Sequence, residues 1–267
     1  MSVKKAIKLP LQKKCLLHID FFGFYNLINV SKNQKSLESF FFRFIEKNYC
    51  KKFITPTFNY DFCKKLRARY NSKSQINSLS NYFKNKLGKW RSYDPIFSFS
   101  GNYDKKLKFN SKLRSFDNNS SIKDIIDDDG YYFFCGTTIN FLTPGIHYLE
   151  NKLETPYRYD KIFKGTYKIK NKLRKITYTY KVWPLSKKPL NYDAEKINKD
   201  LINSKIMKVI DFNYGHYIMY CRARKFNSFL MKKIKKDRLY PLDKKTKVWI
   251  KPMLKKFNRP FTIKDFE

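Results

Sequence analysis

The chain has 267 residues and is 42% hydrophobic, so a real core for one large domain is within reach. Its 58 Lys and Arg against 22 Asp and Glu leave a net charge of +36, which points to nucleic acid or an anionic surface as a partner and sits badly with a polycationic one. No apolar run approaches the ~20 residues of a membrane span and the basic N-terminus lacks an apolar signal core, which excludes a spanning or secreted reading and leaves the cytoplasm as the expected location.

Two features temper the charge. With only 8 Gly but 25 Phe and 20 Tyr, the composition is that of an AT-biased coding sequence. Such a bias replaces Arg with Lys without any functional demand, and the lysines run from end to end rather than massing in one tail. The five cysteines, Cys15, Cys50, Cys63, Cys135 and Cys221, are odd in number and lack paired metal-ligand spacing. Buried free thiols in a reducing compartment are expected, with no metal.

In chain order, residues 15–19 read as a short buried strand that runs into the loop Asp20-Phe21-Phe22-Gly23, where the glycine is permissive. Residues 36–49 carry Leu37, Phe40, Phe41, Phe44 and Ile45 at helical spacing. A second strand at 52–55 is closed by Pro56. This β-then-α-then-β order predicts a three-layer α/β/α sandwich around a central mixed sheet. A short helix at 79–87 ends at Gly88, and Pro95 argues against helix across 90–100. There Arg91 and Ser92 are good anion donors. Residues 121–127 read as helix, Asp129-Gly130 as a turn, and 131–135 as a third buried strand feeding Gly136. Three strands thus end in small or polar residues, at His18/Asp20, Thr55/Thr57 and Gly136/Thr137. Carboxyl ends of strands are where open α/β sheets bind ligands.

Thr143-Pro144 is a good helix start, and Ile146, Leu149 and Leu153 mark its buried face. His147 and Glu150 lie three apart and are neighbours on that helix. A histidine one turn from a helix N-terminus is held neutral, the form that accepts a proton, while Glu150 can fix its tautomer. The plain alternative is a polar pair on an exposed helix edge. Beyond it, 166–169 and 176–182 form a hairpin about Lys170-Asn171-Lys172, and 195–207 a helix. A second hairpin turns near Asn213-Tyr214-Gly215, beside His216, which reads as structural or exposed rather than catalytic. Residues 223–236 form a basic amphipathic helix. From 243 to 267 a basic tail with Pro252 and Pro260 is expected to wrap the surface of a single domain spanning 1–267.

The order of five segments, LLHIDFFGF, TPTFNYDFC, RSYDPIFSFSG, GIHYLE and PYRYDKIFKG, resembles the aminoglycoside 3-N-acetyltransferase family, over roughly residues 12 to 242. The resemblance implies the antibiotic N-acetyltransferase type of α/β/α fold, distinct from the better-known acetyltransferase fold, and transfer of an acetyl group from acetyl-CoA to an amine of an amino sugar. It places the family's histidine on His147 as general base and its acidic residue on Glu150. By the same resemblance His18, Asp20, Gly23, Thr57, Arg91 and Ser92 line the acetyl-CoA site. Tyr60, Asp94, Tyr159 and Asp160 are the substrate-side candidates, with the carboxylates facing a cationic acceptor. Donors for the oxyanion are expected near Thr57 or Thr137. Related members appear in surface-polysaccharide gene sets and act on other sugar amines. The chain departs from resistance enzymes at His18-Ile19-Asp20, where they carry His-Ser-Ser, at Asp94, where they carry His, and at Pro144, where they carry Thr. The acceptor is therefore an amino-sugar amine, of which an aminoglycoside is one case. The alternative is a catalytically degenerate member that binds nucleic acid or another polyanion through its basic surface.

Overall fold

The structure, a computed structural model, describes residues 13–20, 37–136, 143–184, 188–211 and 217–267. Strand β1 (Lys14–Ile19) leads to helix α1 (Leu37–Asn48) and β2 (Lys52–Pro56). Then come α2 (Asp61–Lys65), β3 (Arg67–Arg69) and α3 (Ser78–Tyr82), which continues as a π turn to Leu87. Strands β4 (Trp90–Arg91), β5 (Phe99–Gly101) and β6 (Lys112–Arg114) precede α4 (Ser121–Asp127) and β7 (Tyr131–Cys135). Helix α5 (Thr143–Leu153) is followed by the long hairpin β8 (Tyr159–Ile169) and β9 (Lys172–Val182). Helix α6 (Ala194–Asn203), β10 (Lys208–Asp211), β11 (Tyr217–Arg222), α7 (Ala223–Lys236) and α8 (Lys244–Phe257) complete the order.

Seven strands form the central sheet in the order β10-β11-β7-β1-β2-β5-β4. Its middle, β7-β1-β2, is parallel, and both flanks are antiparallel. Alternation along these strands builds two cores. Cys15, Leu17, Phe53, Phe133 and Tyr220 face Phe41, Phe42 and Ile45 of α1. Leu16, Ile54, Tyr132, Phe134 and Met219 face α4, α5 and α7. Helices therefore cover both faces, as the β-α-β order predicts. Because β7, β1 and β2 are parallel neighbours, their carboxyl ends lie on one edge, and Asp20 N–H bonds Cys135 O there at 3.0 Å.

A second sheet, β3-β8-β9-β6, was not expected beyond its central hairpin. Its edge strands are three residues each and carry no periodicity to read. Its inner face, with Phe163, Tyr167, Tyr178 and Tyr180, packs into the core that covers α5. Gly165 is where β8 touches the end of α2. A Cβ there would lie 2.1 Å from Leu66 O and 2.9 Å from the Phe62 ring. Gly165→Ala is expected to cost ~1–3 kcal/mol, a Tm lower by roughly 3–10 °C in a thermal melt.

The expected surface tail is corrected. Residues 244–257 form α8, capped by Asp243, whose side chain accepts from Thr246 N–H at 2.6 Å. Pro252 lies inside this helix on its exposed side. Ile250 and Phe261 join Tyr157, Tyr159, Leu239 and Leu242 in a third apolar cluster. The predicted helix at 195–207 likewise stops at Asn203, and Lys205 turns the chain at φ 56°. Cys15, Cys50, Cys135 and Cys221 are buried free thiols, and Cys63 is an exposed one.

Candidate active site

Helix α5 follows the carboxyl end of β7, with Pro144 in its first turn, where a missing N–H costs nothing. Ile146 and Leu149 are buried, as its pattern requires. The two polar residues are not on an exposed edge: His147 is 9% exposed and Glu150 is fully buried. His147 Nδ1 lies 2.9 Å from Glu150 Oε2. Tyr192 Oη donates to the same oxygen at 2.9 Å and is 3.1 Å from Nδ1. Tyr157 Oη donates to Glu150 Oε1 at 2.8 Å. Arg158 Nε approaches Oε2 at 2.7 Å as an ion pair, without aiming its N–H at the oxygen. Its Nη2 donates to Tyr192 Oη at 2.6 Å and its Nη1 to Lys181 O at 3.1 Å, and its guanidinium lies over Trp183.

A buried carboxylate needs compensation. Burial alone would raise the Glu150 pKa. Arg158, His147 and Tyr157 overcome it and hold the value at about 2. Burial also lowers the His147 pKa, the Arg158 charge lowers it further, and Glu150 pulls it back only in part. The imidazole is therefore neutral at physiological pH. With Glu150 ionised, the network assigns the proton to Nδ1 and leaves the Nε2 lone pair as the basic site. Among the described residues only Nδ1 of this ring is hydrogen bonded.

The ring is walled by Phe116 at 5.3 Å, Tyr180 and Tyr192 at 6.0 Å and Phe97 at 6.4 Å between centroids. Phe97 and Phe116 also line a cleft of about 650 Å³. That cleft carries Ser92, Asp94, Lys105, Lys106, Lys108 and Arg114 among its walls. His147 is not itself a lining residue and sits one ring behind the wall. Tyr60, 44% exposed, meets Phe97 edge to face at 6.1 Å, which puts an accessible aromatic two rings from the imidazole.

The remaining expected residues divide. Ser92 lines the cleft, although its Oγ accepts from Phe99 N–H. Asp94 also lines it, with Oδ1 accepting from Ile96 and Phe97 N–H and Oδ2 from Ser115 Oγ. Burial raises its pKa. Thr57 and Arg91 are interior and bonded to each other: Arg91 Nη2 donates to Thr57 O at 2.8 Å, Nε to Ser98 Oγ, and Nη1 to Tyr70 O and Ser72 O. Tyr159 is buried in the third cluster, donates to Glu267 Oε1 and stacks on Phe266. Asp160 is on the outer face of β8, paired with Arg114 at 2.8 Å and Lys181 at 3.5 Å. Gly23, Thr137 and His216 lie outside the described residues.

His18 is buried at the end of β1, stacked on Phe134, with Nε2 unpartnered among the described residues, and burial lowers its pKa to about 3. The unfolded chain takes a proton there near pH 6.5, the folded chain only near 3. The folded state therefore loses stability as pH falls through this window. Urea unfolding should show a loss of about 1.5–2 kcal/mol attributable to His18 between about pH 6.5 and 5, absent in His18→Leu.

Arg158, Tyr157, Tyr180 and Tyr192 were not singled out in the sequence. One signal was available for Arg158: a buried glutamate demands a cation, and PYRYD supplies one close in sequence. Tyr192 lies 42 residues from Glu150 and no local pattern marks it. Among the described residues no cluster of three or more His, Cys, Asp or Glu could hold a metal ion, and no helix is long and apolar enough to cross a membrane.

No protein-family model matches the chain, and no curated protein matches its sequence. Solved structures do. Aminoglycoside acetyltransferase AAC(3)-Xa superposes with a TM-score of 0.62 at 11% identity, over 84% of this chain and 86% of that one. A histidine-to-alanine variant of AAC(3)-IVa, in complex with a gentamicin, gives 0.61 at 13% identity over 86% and 85%. The YokD protein from Bacillus subtilis gives 0.62 at 12% identity over 85% and 88%. The chain thus resembles these proteins in shape far more than in sequence: it has the fold of the aminoglycoside 3-N-acetyltransferases.

Proposed function

We propose that the protein is an acyltransferase that moves an acetyl group from acetyl-CoA to an amine of an amino sugar, with His147 as general base. The observation that carries this reading is the buried His147–Glu150–Arg158–Tyr192 network, one ring from a cleft, in a chain with this fold. A sugar ammonium is not nucleophilic, so a base must hold its proton. His147 Nε2 takes it, directly or through a water, and the amine nitrogen forms a bond to the thioester carbonyl carbon. Collapse breaks the C–S bond, the His147 imidazolium gives its proton to the departing sulfur so that CoA leaves as the thiol, and the new amide nitrogen loses its remaining extra proton to solvent. Glu150 stabilises the imidazolium, and Arg158 keeps Glu150 ionised between steps.

Acetyl-CoA is anionic, and the lysines of the cleft suit its phosphates. Of the expected residues, Ser92 and Asp94 line that cleft, and Tyr60 packs on Phe97 outside it. Thr57 and Arg91 spend their polar atoms on one another and on neighbouring loops, so their part is to hold the cleft's wall. The acceptor is an amino sugar, with an aminoglycoside as one candidate. Purified protein with acetyl-CoA and a panel of amino sugars should release free thiol. No release with any acceptor, combined with no acetyl-CoA binding in calorimetry, would reject the reading. The charge of +36 favours a second one, a polyanion-binding protein that kept the fold, and that pair of results would select it.

A further inference from the structure

The second sheet turns its inner face to His147 through Tyr180 and leaves its outer face to solvent. Strand register decides which side chains share that outer face: Arg67 opposes Thr166, Thr166 opposes Lys175, Lys164 opposes Thr177, and Thr177 opposes Lys112. Six cations project there with no ion-pair partner among the described residues: Arg67, Arg69, Lys112, Lys164, Lys168 and Lys175. Two more, Arg114 and Lys181, share Asp160, the one acid on the face. Eight to one is far steeper than the 58 to 22 of the whole chain. Compositional drift alone does not concentrate charge on one side of one sheet.

The face also has shape and chemistry. Lys112, Lys164, Lys175, Ser111, Thr166 and Thr177 line a groove of about 470 Å³. Ammonium groups and hydroxyls in that arrangement are donors for a phosphate. Ile162 and Leu173, on the same face, are 58% and 68% exposed. None of the outer positions of β3, β6, β8 and β9 is aromatic, so the face offers no platform on which bases stack. Cations without an ion-pair partner among the described residues, a groove of ammonium and hydroxyl donors, and bare aliphatic side chains together match a bilayer surface better than a nucleic acid. We propose that this outer face docks on an anionic lipid bilayer, with a lipid phosphate seated in the groove between Lys112, Lys164 and Lys175. The docked chain lies on the membrane through this face, whose Lys112 and Arg114 also wall the cleft next to the ring cluster around His147.

The groove adjoins the cleft beside His147, since Lys112 lines both, but Lys164 and Lys175 line the groove and not that cleft. The test is co-sedimentation of the full chain with phosphatidylglycerol vesicles and with pure phosphatidylcholine vesicles. Binding should require phosphatidylglycerol and be lost at high salt. Lys164→Gln/Lys175→Gln should weaken it about 25-fold, about fivefold per charge removed. Lys255→Gln/Lys256→Gln, the same charge loss on exposed positions of α8, should change it less than about twofold. Both double variants should keep the parent's melting temperature and thiol release on soluble amino sugars. Equal weakening by the two variants would mean diffuse attraction and overturn the proposal. So would equal binding to both vesicle types, or release from vesicles by RNA at matched phosphate concentration.

Discussion

Replacing His147 with alanine is expected to lower kcat for acetyl transfer about 10²–10⁴-fold while leaving the KM for acetyl-CoA nearly unchanged. The expectation follows from where the ring is held. Its Nδ1 side is fixed by Glu150 and Tyr192, so truncation removes a proton acceptor and leaves the rest of the network bonded. Glu150 retains Tyr157, Tyr192 and Arg158, so the variant should stay folded, with a Tm lowered by the cavity that the missing ring leaves. The pH profile supplies a second readout. Burial and Arg158 lower the His147 pKa, so the acidic limb of kcat should fall below the ordinary histidine value of about 6.5. An alanine variant as active as the parent would remove His147 from the chemistry. A limb at or above about 6.5 would mean the network does not keep the ring neutral.

What the sequence disclosed and what it hid follow from range. Strands β1 and β7 and helices α1, α4 and α7 carry their pattern within a few residues, and each is found within about two residues of its predicted ends. The pair at His147 and Glu150 was legible because both lie on one helix. Its burial was not, since the covering rings come from Phe97, Phe116, Tyr180 and Tyr192. The second sheet was half legible. Its hairpin is local, but β3 and β6 join it in parallel from distant parts of the chain. Helix α8 was misread because Pro252 and a run of lysines resemble a loop, whereas Asp243 and Ile250 supply a cap and an anchor. That helix matters to the site. Asn191 N–H bonds Thr246 Oγ1 at 3.0 Å, and Tyr192 bridges to Leu242, so the C-terminal segment positions the tyrosine that touches both His147 and Glu150.

The largest stability effect is expected at Arg158. Arg158→Met leaves the Glu150 carboxylate fully buried with no cation beside it, a change that costs about 3–5 kcal/mol. For a chain of this length the Tm should fall by roughly 6–20 °C. Glu150→Leu/Arg158→Met removes both charges and should recover most of that loss, because two buried charges and their desolvation disappear together. The pH dependence has a definite sign. The folded Glu150 pKa of about 2 lies below the unfolded value of 4.5. Its contribution, about 3 kcal/mol, is present above about pH 4.5 and is lost as pH falls toward 2. In Arg158→Met the folded pKa rises, so the stability gap between variant and parent should narrow as pH drops below about 4.5. A constant gap across that window would place the arginine's contribution in packing against Trp183 rather than in charge. The same variant links stability to chemistry: with a cation gone from beside it, the His147 pKa should rise, and the acidic limb of any residual activity should move up with it.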